Sequence, residues 1–526
     1  MTNLNFKVLV TASGVGQKIG ELTQFTNKSL LRIGKKPALS YIIESYPQDT
    51  EFVVTLGHYS EQVRDFIKLA YPNHNVEFVE VDKYSGEGSS LGYSMLKAKD
   101  KLQCPFIYHA SDTIVTDLIP IPDKNWIGVY KGSDASQYSS WKMIDKDNIS
   151  FNDKGAVDFD YIHIGLVGIN DYGAFWNIVD DLYKSDPLNP SLGDTNVIVK
   201  MIERNYHFSP YEFSKWFDIG NVTALHEARK YVSDHFENLD KIDESIFIFD
   251  DFVIKFFYDE KINKNRVERA KYLKGLVPEI EGATKNFYRY KFVPGDLYSR
   301  VVTPSDFGKF LEWAKKNLWK KVEKVSKPEF NKACKDFYLT KTEQRIDKFF
   351  KKNSLEDVTQ IINGDRVPKL KDLLSQIDFD KLSEADQYQF HGDFILENII
   401  KTKGGYTLVD WRQDFGGLLE AGDIYYDLAK LNHNLTVNHD IINQNLFTIK
   451  SGEDSVECDI LRKNKLVVSQ EILFEFVKNE GYNVNKVKLV TALIWLNMAP
   501  LHHHPFNLFL FYFGKWNLWR ILNQKI

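Results

Sequence analysis

The chain has 526 residues, too many for one hydrophobic core, so two to four domains are expected. Apolar residues make up 43% and charged residues 26%, as in an ordinary soluble globular protein. The net charge of −5 provides no positive surface excess for a nucleic-acid backbone, which argues against a nucleic-acid partner.

No targeting or membrane-spanning pattern is found in the sequence. The start, MTNLNFKVLVTASG, lacks the basic and long apolar regions of a signal peptide. The late apolar segment NLFLFYFGKWNLWRIL is interrupted by Lys515 and Arg520 and is too short to span a bilayer. The three cysteines, Cys104, Cys334 and Cys458, are far apart and indicate a reducing compartment. We therefore expect a cytoplasmic enzyme with small-molecule partners and no membrane partner, and its oligomeric state stays open.

The first predicted domain, residues 1–232, opens with the strand-like run FKVLVT and the glycine-containing loop TASGVGQKIG. Gly14 and Gly16 let the backbone approach a ligand closely, and the amides of such a loop can cradle phosphates. Glycines alone indicate an ordinary strand-to-helix turn more often than they indicate a phosphate-binding loop. Two basic residues, Lys18 and Lys28, follow before a short apolar run and an amphipathic helix in SLLRIGKKPALSYII.

This arrangement resembles the nucleotidyltransferases that activate sugar phosphates and phosphoalcohols. The resemblance implies that Lys18 and Lys28 neutralise charge on the nucleotide phosphates and on departing pyrophosphate. Two positions depart from the family pattern, since Lys18 stands where arginine is usual and Asn27 where proline is usual. A lysine keeps the positive charge but lacks the bidentate fork of arginine.

Three later stretches match the same family in order. The stretch YSGEGSSLGYSML, which contains Gly88 and Ser89, resembles the loop that holds the base and sugar of the nucleotide. CPFIYHASDTIV is typical of a buried strand ending in Asp112, and KWFDIGNVTALHEARKYV places Asp218 before a helix. Each aspartate alone could be a helix cap or lie in a surface turn. The resemblance makes both of them ligands of one Mg²⁺ ion that also binds triphosphate oxygens.

A polar stretch at residues 228–243 predicts a helix that closes the first domain and links it to a second, at residues 240–526. The stretch ESIFIFDDFVIKFFYDE predicts two short strands around an Asp-Asp turn, with Lys255 in the second strand. A lone lysine in a strand normally faces solvent. Glu268 follows on the helical stretch NRVERAKYLKGL.

The stretch FHGDFILENII encloses a histidine, two acids and an asparagine in an apolar frame. Buried polar groups must bond each other, a metal or a substrate, so this pattern predicts an active-site loop. Asn398 follows Asp393 by five residues, Asp410 ends the apolar run YTLVD, and Asp427 lies in EAGDIYYDLAKLNH. These features are similar to the aminoglycoside phosphotransferase and choline kinase superfamily, which also contains sugar kinases.

The second resemblance implies a bilobal protein-kinase-like domain, with an N-lobe at about 240–300 and a C-lobe at about 301–526. By this resemblance Asp393 is the base for the acceptor hydroxyl, and Asp427 supports the catalytic loop. Asn398 and Asp410 are ligands of Mg²⁺. Lys255 binds the ATP phosphates and forms an ion pair with Glu268. The sequence lacks a glycine-rich phosphate flap, because no glycine occurs between Gly220 and Gly275. His391 is equally suited to bonding the backbone or the substrate, and the run His502 to His504 is not expected to bind a metal.

Together the resemblances imply an α/β protein, a Rossmann-like domain with a mixed sheet flanked by helices joined to the kinase-like domain. The expected function is bifunctional: ATP-dependent phosphorylation of a sugar or amino alcohol, then nucleotidyl transfer from CTP or UTP with release of pyrophosphate. Mg²⁺ is expected at both sites, and the product would serve surface polysaccharide or lipid synthesis. The alternative is a single nucleotidyltransferase, similar to choline-phosphate cytidylyltransferases, with a degenerate kinase-like binding or regulatory module.

Overall fold

The computed structural model of the chain describes residues 5–144, 149–232, 241–452 and 454–524. It divides into two compact units, the first formed by Met1–Glu260 with Glu281–Tyr290 and the second by Lys261–Ile280 with Lys291–Ile526. The chain therefore passes between the units three times. Residues 233–240 of the predicted linker lie outside the described ranges, and the predicted domain boundaries stay a prediction.

The first unit is a mixed α/β structure. Its helices are α1 (Ala38–Glu44), α2 (Ser60–Ala70), α3 (Leu91–Ala98), α4 (Tyr172–Ser185), α5 (Asp194–Glu203) and α6 (Val222–Val232). Its strands are β1 (Lys7–Thr11), β2 (Arg32–Ile33), β3 (Lys36–Pro37), β4 (Glu51–Leu56), β5 (Asn75–Glu80), β6 (Phe106–Ala110), β7 (Thr113–Val115), β8 (Trp126–Tyr130), β9 (Ser140–Met143), β10 (Ile149–Asn152), β11 (Tyr161–Ile169), β12 (Ser209–Glu212), β13 (Trp216–Asp218), β14 (Glu244–Ile248), β15 (Phe252–Phe257), β16 (Ile280–Ala283) and β17 (Phe287–Lys291).

A nine-stranded sheet forms the centre of the first unit. Its main order is β10-β9-β11-β6-β1-β4-β5, and β8 pairs with β11 and β12. Strands β6, β1, β4 and β5 are parallel, whereas β11 is antiparallel to its neighbours. The predicted mixed sheet flanked by helices is therefore confirmed for this part of the chain. Loops that follow parallel strands meet at one edge of the sheet, where ligands bind in open α/β folds.

Both faces of this sheet are buried, which explains the continuous apolar runs of its strands. In β1, Val8 and Val10 pack into one hydrophobic cluster and Leu9 into another, because successive side chains of a strand point to opposite faces. The strand ends at Thr11, so the loop that follows it is held by a strand buried on both sides.

A separate four-stranded sheet, of order β14-β15-β17-β16, also belongs to the first unit. Strands β14 and β15 form the antiparallel hairpin predicted around Asp250 and Asp251. Phe247 shares a hydrophobic cluster with Phe66 of α2, and their ring centroids are 5.4 Å apart. These strands, which the sequence assigned to the N-lobe of a second domain, therefore complete the core of the first unit.

The second unit is mostly helical. Its helices are α7 (Glu260–Tyr272), α8 (Tyr298–Val301), α9 (Pro304–Asn317), α10 (Lys327–Lys335), α11 (Lys341–Asn353), α12 (Leu370–Leu374), α13 (Phe379–Ser383), α14 (Ile424–Thr436), α15 (His439–Asn443), α16 (Asn464–Asn479), α17 (Val484–Met498) and α18 (Phe506–Leu522). Its strands are β18 (Asp296–Leu297), β19 (Gln360–Ile362), β20 (Asp365–Val367), β21 (Ile399–Thr402), β22 (Gly405–Leu408), β23 (Phe447–Ser451) and β24 (Ser455–Ile460).

Two small sheets accompany these helices, β18-β21-β22 and β20-β19-β24-β23. The hairpin β21–β22 lies between the loop that carries Asp393 and Asn398 and the turn that carries Asp410, so it joins these two segments. Residues of α14, α17 and α18 contribute to one large hydrophobic cluster. None of the helices in the described ranges is long and apolar enough to cross a bilayer. The predicted bilobal kinase-like fold stays a prediction.

The packing of β14 against α2 predicts the effect of Phe247→Ala. Phe247 is 1% exposed, and truncating a buried phenylalanine typically costs about 3–5 kcal/mol. Hydrogen exchange should accelerate in β1 and β4 and stay unchanged in β21 and β22. The matched control is Phe292→Ala, at a site 38% exposed, which should change neither region. Unaltered exchange in β1 and β4 would contradict the shared core.

Candidate active sites

The loop after β1 is shaped by Gly16 and Asn27. Gly16 has φ 70°, and a Cβ there would lie 3.3 Å from Cβ of Lys28, so the loop passes close to that lysine. The Asn27 side chain donates hydrogen bonds to the carbonyls of Ala12 at 2.9 Å and His58 at 2.6 Å. Asn27 therefore connects the loop after β1 to the loop after β4 through hydrogen bonds.

Lys28, in the helical turn Lys28–Leu30, converges with Asp112, between β6 and β7, and with Asp218, at the end of β13. Lys28 Nζ lies 2.5 Å from Asp112 Oδ2. The antiparallel pair β7–β13 sets Asp218 opposite Thr113, the residue after Asp112. A Cβ at Gly220 would lie 2.9 Å from an Asp218 oxygen and 3.0 Å from an Asp112 oxygen, so both carboxylates face one small space.

The two aspartates have opposite pKa shifts. Burial would raise the pKa of Asp112, but the charge and hydrogen bond of Lys28, with Lys18, hold it below its usual value. Burial, with the charge of Asp112, raises the pKa of Asp218, although the amide of Gly220 donates to its Oδ1 at 2.7 Å. The mutual repulsion of these carboxylates is the kind of strain that a divalent cation relieves, so this pair fits Mg²⁺.

The other residues predicted for this site lie on loops around it. Lys18 is exposed and contributes to the low pKa of Asp112. Gly14 is exposed in the loop after β1, where a Cβ would meet nothing within 4 Å. Gly88 has φ 77°, and the hydroxyl of Ser89 donates to the carbonyl of Gly86 at 2.7 Å, just before α3. Their predicted contacts with nucleotide stay predictions.

Sequence reasoning missed Lys154 and Tyr138. Lys154 is exposed; partial desolvation, and then the charge of Lys18, lower its pKa, while Asp218 and Asp112 oppose this shift, so the lysine is within electrostatic range of the two carboxylates. The Tyr138 hydroxyl donates to Asp218 Oδ2 at 3.0 Å. Both residues come from the segment between Asp112 and Asp218. That segment contains no recognisable motif around either of them.

A cavity of about 640 Å³ opens beside Asp218. Its lining combines aromatic rings with acids, namely Tyr130, Tyr138, Trp216, Asp134 and Glu227. The rings of Tyr138 and Trp216 pack edge to face with centroids 5.1 Å apart. Such a lining can stack on a sugar ring or hold a cation on the ring faces.

In the second unit, two buried charges hold the loop that begins at Phe390. Asp427, fully buried, accepts hydrogen bonds from the amides of His391 at 2.8 Å and Gly392 at 2.7 Å. Arg269, 1% exposed, donates to the carbonyls of Phe390 at 2.6 Å and His391 at 3.3 Å. The support predicted for Asp427 is therefore present, whereas no pattern in the sequence pointed to Arg269.

His391 bonds the backbone. Its Nε2 lies 3.0 Å from the carbonyl of Val409, and its Nδ1 accepts from the amide of Asp393 at 3.3 Å. Burial lowers the pKa of His391 to about 4, so the ring is neutral at pH 7. This histidine stabilises the loop through its two ring nitrogens.

Asp393 and Asn398 lie together as their spacing suggested. The Asn398 amide group donates to the Asp393 carbonyl at 2.9 Å and to its Oδ2 at 3.3 Å, which leaves the Asn398 carbonyl oxygen as the atom suited to a metal. Lys430 Nζ lies 2.6 Å from Asp393 Oδ1. Burial would raise the pKa of Asp393, but Lys430 lowers it to about 2. Lys430 follows Asp427 by three residues in α14, and no motif marked it beforehand.

Asp410 follows β22, as predicted, and its φ is 56°. Its Oδ1 accepts a hydrogen bond from Arg266 Nη1, so an unanticipated arginine shares this predicted metal ligand. Glu268 lies on α7, where its carboxylate is 2.6 Å from Lys271 Nζ. Lys255 is 9% exposed in β15, opposite Ile246 of β14. The roles proposed for Lys255 and Glu268 stay predictions.

No group of three or more His, Cys, Asp or Glu side chains able to hold a metal occurs in the described ranges. Each predicted Mg²⁺ site would offer two protein ligands, Asp112 with Asp218 and Asn398 with Asp410. This number suits an ion whose other ligands are nucleotide phosphates and water.

Comparison with known proteins gives distant similarities. No protein-family model matches the chain. The choline-phosphate cytidylyltransferase of Streptococcus pneumoniae is 25% identical over 114 residues, 21% of this chain and 47% of that protein. The bifunctional protein GlmU of Methanococcus vannielii is 22% identical over 234 residues, 42% of this chain and 54% of that protein. The chain thus spans about half the length of these curated relatives.

Among solved structures, the CTP:phosphocholine cytidylyltransferase from Streptococcus pneumoniae is 18% identical, with a TM-score of 0.38. The match covers 44% of this chain and 100% of that one. The inositol-1-phosphate CTP transferase from T. maritima is 15% identical, with a TM-score of 0.34, and the match covers 45% of this chain and 98% of that one.

The contacts of Asp427 predict that Asp427→Ala destabilises the second unit. The change leaves the amides of His391 and Gly392 buried without a partner, which should lower the free energy of unfolding by about 2–4 kcal/mol. Urea unfolding of the full chain measures this loss. Asp372→Ala, at an exposed position of α12, is the matched control and should have little effect. An unchanged midpoint for Asp427→Ala would contradict the role of this carboxylate.

The pKa of Asp427 also predicts a pH dependence. Burial raises its pKa to about 6, above that of an unfolded aspartate. A raised carboxyl pKa means that the folded state binds the proton more tightly, so this contribution to stability is lost as pH rises from about 4 to 6. The difference in unfolding free energy between the wild type and Asp427→Asn should therefore shift against the wild type across this window. A pH-independent difference would contradict the assignment.

Proposed function

We propose that the chain is a bifunctional enzyme that phosphorylates a small hydroxyl compound with ATP and then joins the phosphate to a nucleotide from CTP or UTP. The observation that carries the nucleotidyltransferase part is the convergence of Lys28, Asp112 and Asp218 around Gly220. Two acids and a lysine gathered beside the loop that follows β1 suit the binding of a triphosphate with its metal. The similarity to a cytidylyltransferase supports the same activity.

In the proposed nucleotidyl transfer, the phosphate of the acceptor attacks the α-phosphate and pyrophosphate leaves. Lys28 and Lys18 stabilise the negative charge that develops on these groups, and Lys154 is placed to assist them. Asp112 and Asp218 would hold Mg²⁺, which neutralises phosphate charge when it is bound. The cavity beside Asp218 would receive the acceptor, because it adjoins the carboxylates and is lined by rings and acids.

In the proposed phosphorylation, Asp393 orients the acceptor hydroxyl and takes its proton. With a pKa of about 2, Asp393 is ionised at neutral pH, so it is a hydrogen-bond acceptor that receives the proton late in the transfer. Lys430 holds the Asp393 side chain in place through its 2.6 Å contact. Asn398 and Asp410 would hold the Mg²⁺ of the nucleotide, and the product would serve surface polysaccharide or lipid synthesis.

A second candidate function is favoured by the ion pairs of the second unit. Arg266 bonds Asp410 and Lys430 bonds Asp393, so both acidic residues needed for phosphoryl transfer already have cationic partners. A degenerate module that binds or regulates without turnover would have this property. In that case the chain would be a nucleotidyltransferase alone.

Paired variants separate these candidates. Asp112→Asn should lower pyrophosphate release from CTP or UTP at least about a hundredfold, because it removes a carboxylate ligand of the proposed Mg²⁺. It should spare ADP formation. Asp393→Asn should do the reverse, losing about a hundredfold or more in ADP formation. The control is Asp123→Asn, at an exposed position, which should spare both. Acceptors are supplied as a panel of sugars, amino alcohols and hydroxy acids, with their phosphates for the first assay. A wild type that forms pyrophosphate but no acceptor-dependent ADP would favour the degenerate module.

Removal of divalent metal should abolish both activities, since each site offers oxygen ligands suited to Mg²⁺ rather than to zinc. After exhaustive EDTA treatment and dialysis, both rates should return with added Mg²⁺ and not with stoichiometric Zn²⁺. Full activity of the metal-free protein would refute both candidate metal sites.

A further inference from the structure

Four cationic side chains of the second unit lie around Tyr426, and one of them, Lys430, contacts Asp393. Lys341 and Arg345 are one turn apart on α11, Arg412 lies two residues after Asp410, and Lys430 is on α14. We refer to Lys341, Arg345 and Arg412 as the cation cluster.

Two aromatic rings bring the cluster together. Lys341 Nζ lies 3.9 Å from the ring centroid of Phe337 and 5.8 Å from that of Tyr426. Arg412 Cζ lies 5.0 Å and 6.0 Å from the same two centroids. Since the two rings are in contact, with centroids 4.8 Å apart, the lysine and the arginine are neighbours.

The same rings connect the cluster to Asp393. Tyr426 and Lys430 are four residues apart on α14, so they lie on one face of that helix. Lys430 Nζ in turn contacts Asp393 Oδ1 at 2.6 Å. The cation cluster is therefore linked to the predicted acceptor base through Tyr426 and Lys430, which lie one turn apart on α14.

One acid, Asp414, partly offsets the positive charge that acts on Lys341 of the cluster. Within the described ranges, no carboxylate lies within 4.0 Å of the charged nitrogens of Lys341, Arg345 or Arg412. The Arg412 Nε donates to the backbone carbonyl of Asp414 at 2.9 Å, and the Asp414 carboxylate accepts from the amide of Gly417. Burial, and then the charge of Arg412, lower the pKa of Lys341, with Arg345 and Lys430 adding to this shift. Partly buried like charges repel each other unless an anion joins them.

We propose that the cation cluster binds an anionic group of the acceptor, a carboxylate or a phosphate, while the acceptor hydroxyl faces Asp393. This inference rests on the proposed kinase activity and narrows its substrate class to hydroxy acids, acidic sugars or sugar phosphates. Neutral sugars gain nothing from three positive charges, and a cationic amino alcohol such as choline is repelled by them. Ring packing alone could explain Lys341 over Phe337, but it does not account for three cations gathered without an ion-pair partner among the described residues.

The reaction is an ordinary phosphoryl transfer. A bond forms between the acceptor hydroxyl oxygen and the γ-phosphorus of ATP, and the bond from that phosphorus to the β–γ bridging oxygen breaks. The hydroxyl proton goes to Asp393, and ADP leaves with the bridging oxygen. The cation cluster takes no part in these bond changes, because its role is to position the acceptor.

Matched acceptors test the proposal on the full chain with Mg²⁺ and ATP. The pairs are glycerol with glycerate and glucose with glucuronate, ethanolamine is the cationic acceptor, and glycerol phosphate and glucose 6-phosphate supply the phosphate arm. In at least one set, the anionic member should have a kcat/KM at least tenfold above its uncharged or cationic partner. The carboxylate and phosphate arms show which anion the cluster prefers.

Variants of the cluster give the second readout. Lys341→Gln and Arg345→Gln should each raise the KM for the anionic acceptor about tenfold, with the KM for ATP unchanged, and Lys341→Arg should retain the preference. The control is Lys348→Gln, at an exposed position of the same helix, which should change neither constant. Equal or better turnover of uncharged or cationic acceptors, or a rise in the KM for ATP alone, would overturn the proposal.

Failure of the kinase activity itself would be distinguishable. If no acceptor supports ADP formation, calorimetric titration of the full chain with glucuronate, glucose 6-phosphate and glucose decides the inference. Saturable binding of either anion that is lost in Lys341→Gln supports an anion site without turnover. Absence of anion binding, or equal binding of glucose, overturns it.

Discussion

The loop that begins at Phe390 depends on one buried pair of opposite charges. Arg269 takes the carbonyl oxygens of Phe390 and His391, and Asp427 takes the amides of His391 and Gly392. A buried charge is tolerated when hydrogen bonds replace its water, and here the backbone supplies them for both ions. Because arginine and aspartate bind opposite kinds of backbone group, the peptide planes of the loop are fixed in orientation, and Asp393 extends from a rigid base.

The first unit compensates its buried charges with side chains. Lys28 neutralises Asp112, whereas Asp218 is stabilised by the Tyr138 hydroxyl and the Gly220 amide. This arrangement leaves the two carboxylates close together with unequal proton affinities. A site of this kind responds to the arrival of a cation or a phosphate, in contrast to the loop at Phe390, whose charges are already saturated by backbone groups.

The sequence was sufficient to predict the positions of Asp112, Asp218 and Asp410 at strand ends. An apolar run and the polar residue that follows it are local features of the sequence. It was insufficient for Lys430 and Arg266, whose partners Asp393 and Asp410 are distant in the chain. The same limit applies to β14 and β15, which local propensity identifies as strands without showing that Phe247 packs on Phe66. Pairings over such distances are decided by tertiary structure, to which hydrophobic periodicity is blind.

The three passages of the chain between the units constrain how the protein is made and how it can change. During synthesis the first unit cannot complete its core until Glu281–Tyr290 has emerged, and by then Lys261–Ile280 of the second unit has emerged too. Folding of the two units is therefore interleaved in time. A single recombination point cannot exchange either unit intact with another protein. The order of the segments along the chain therefore keeps the two units together during evolution, in addition to any advantage of joint action.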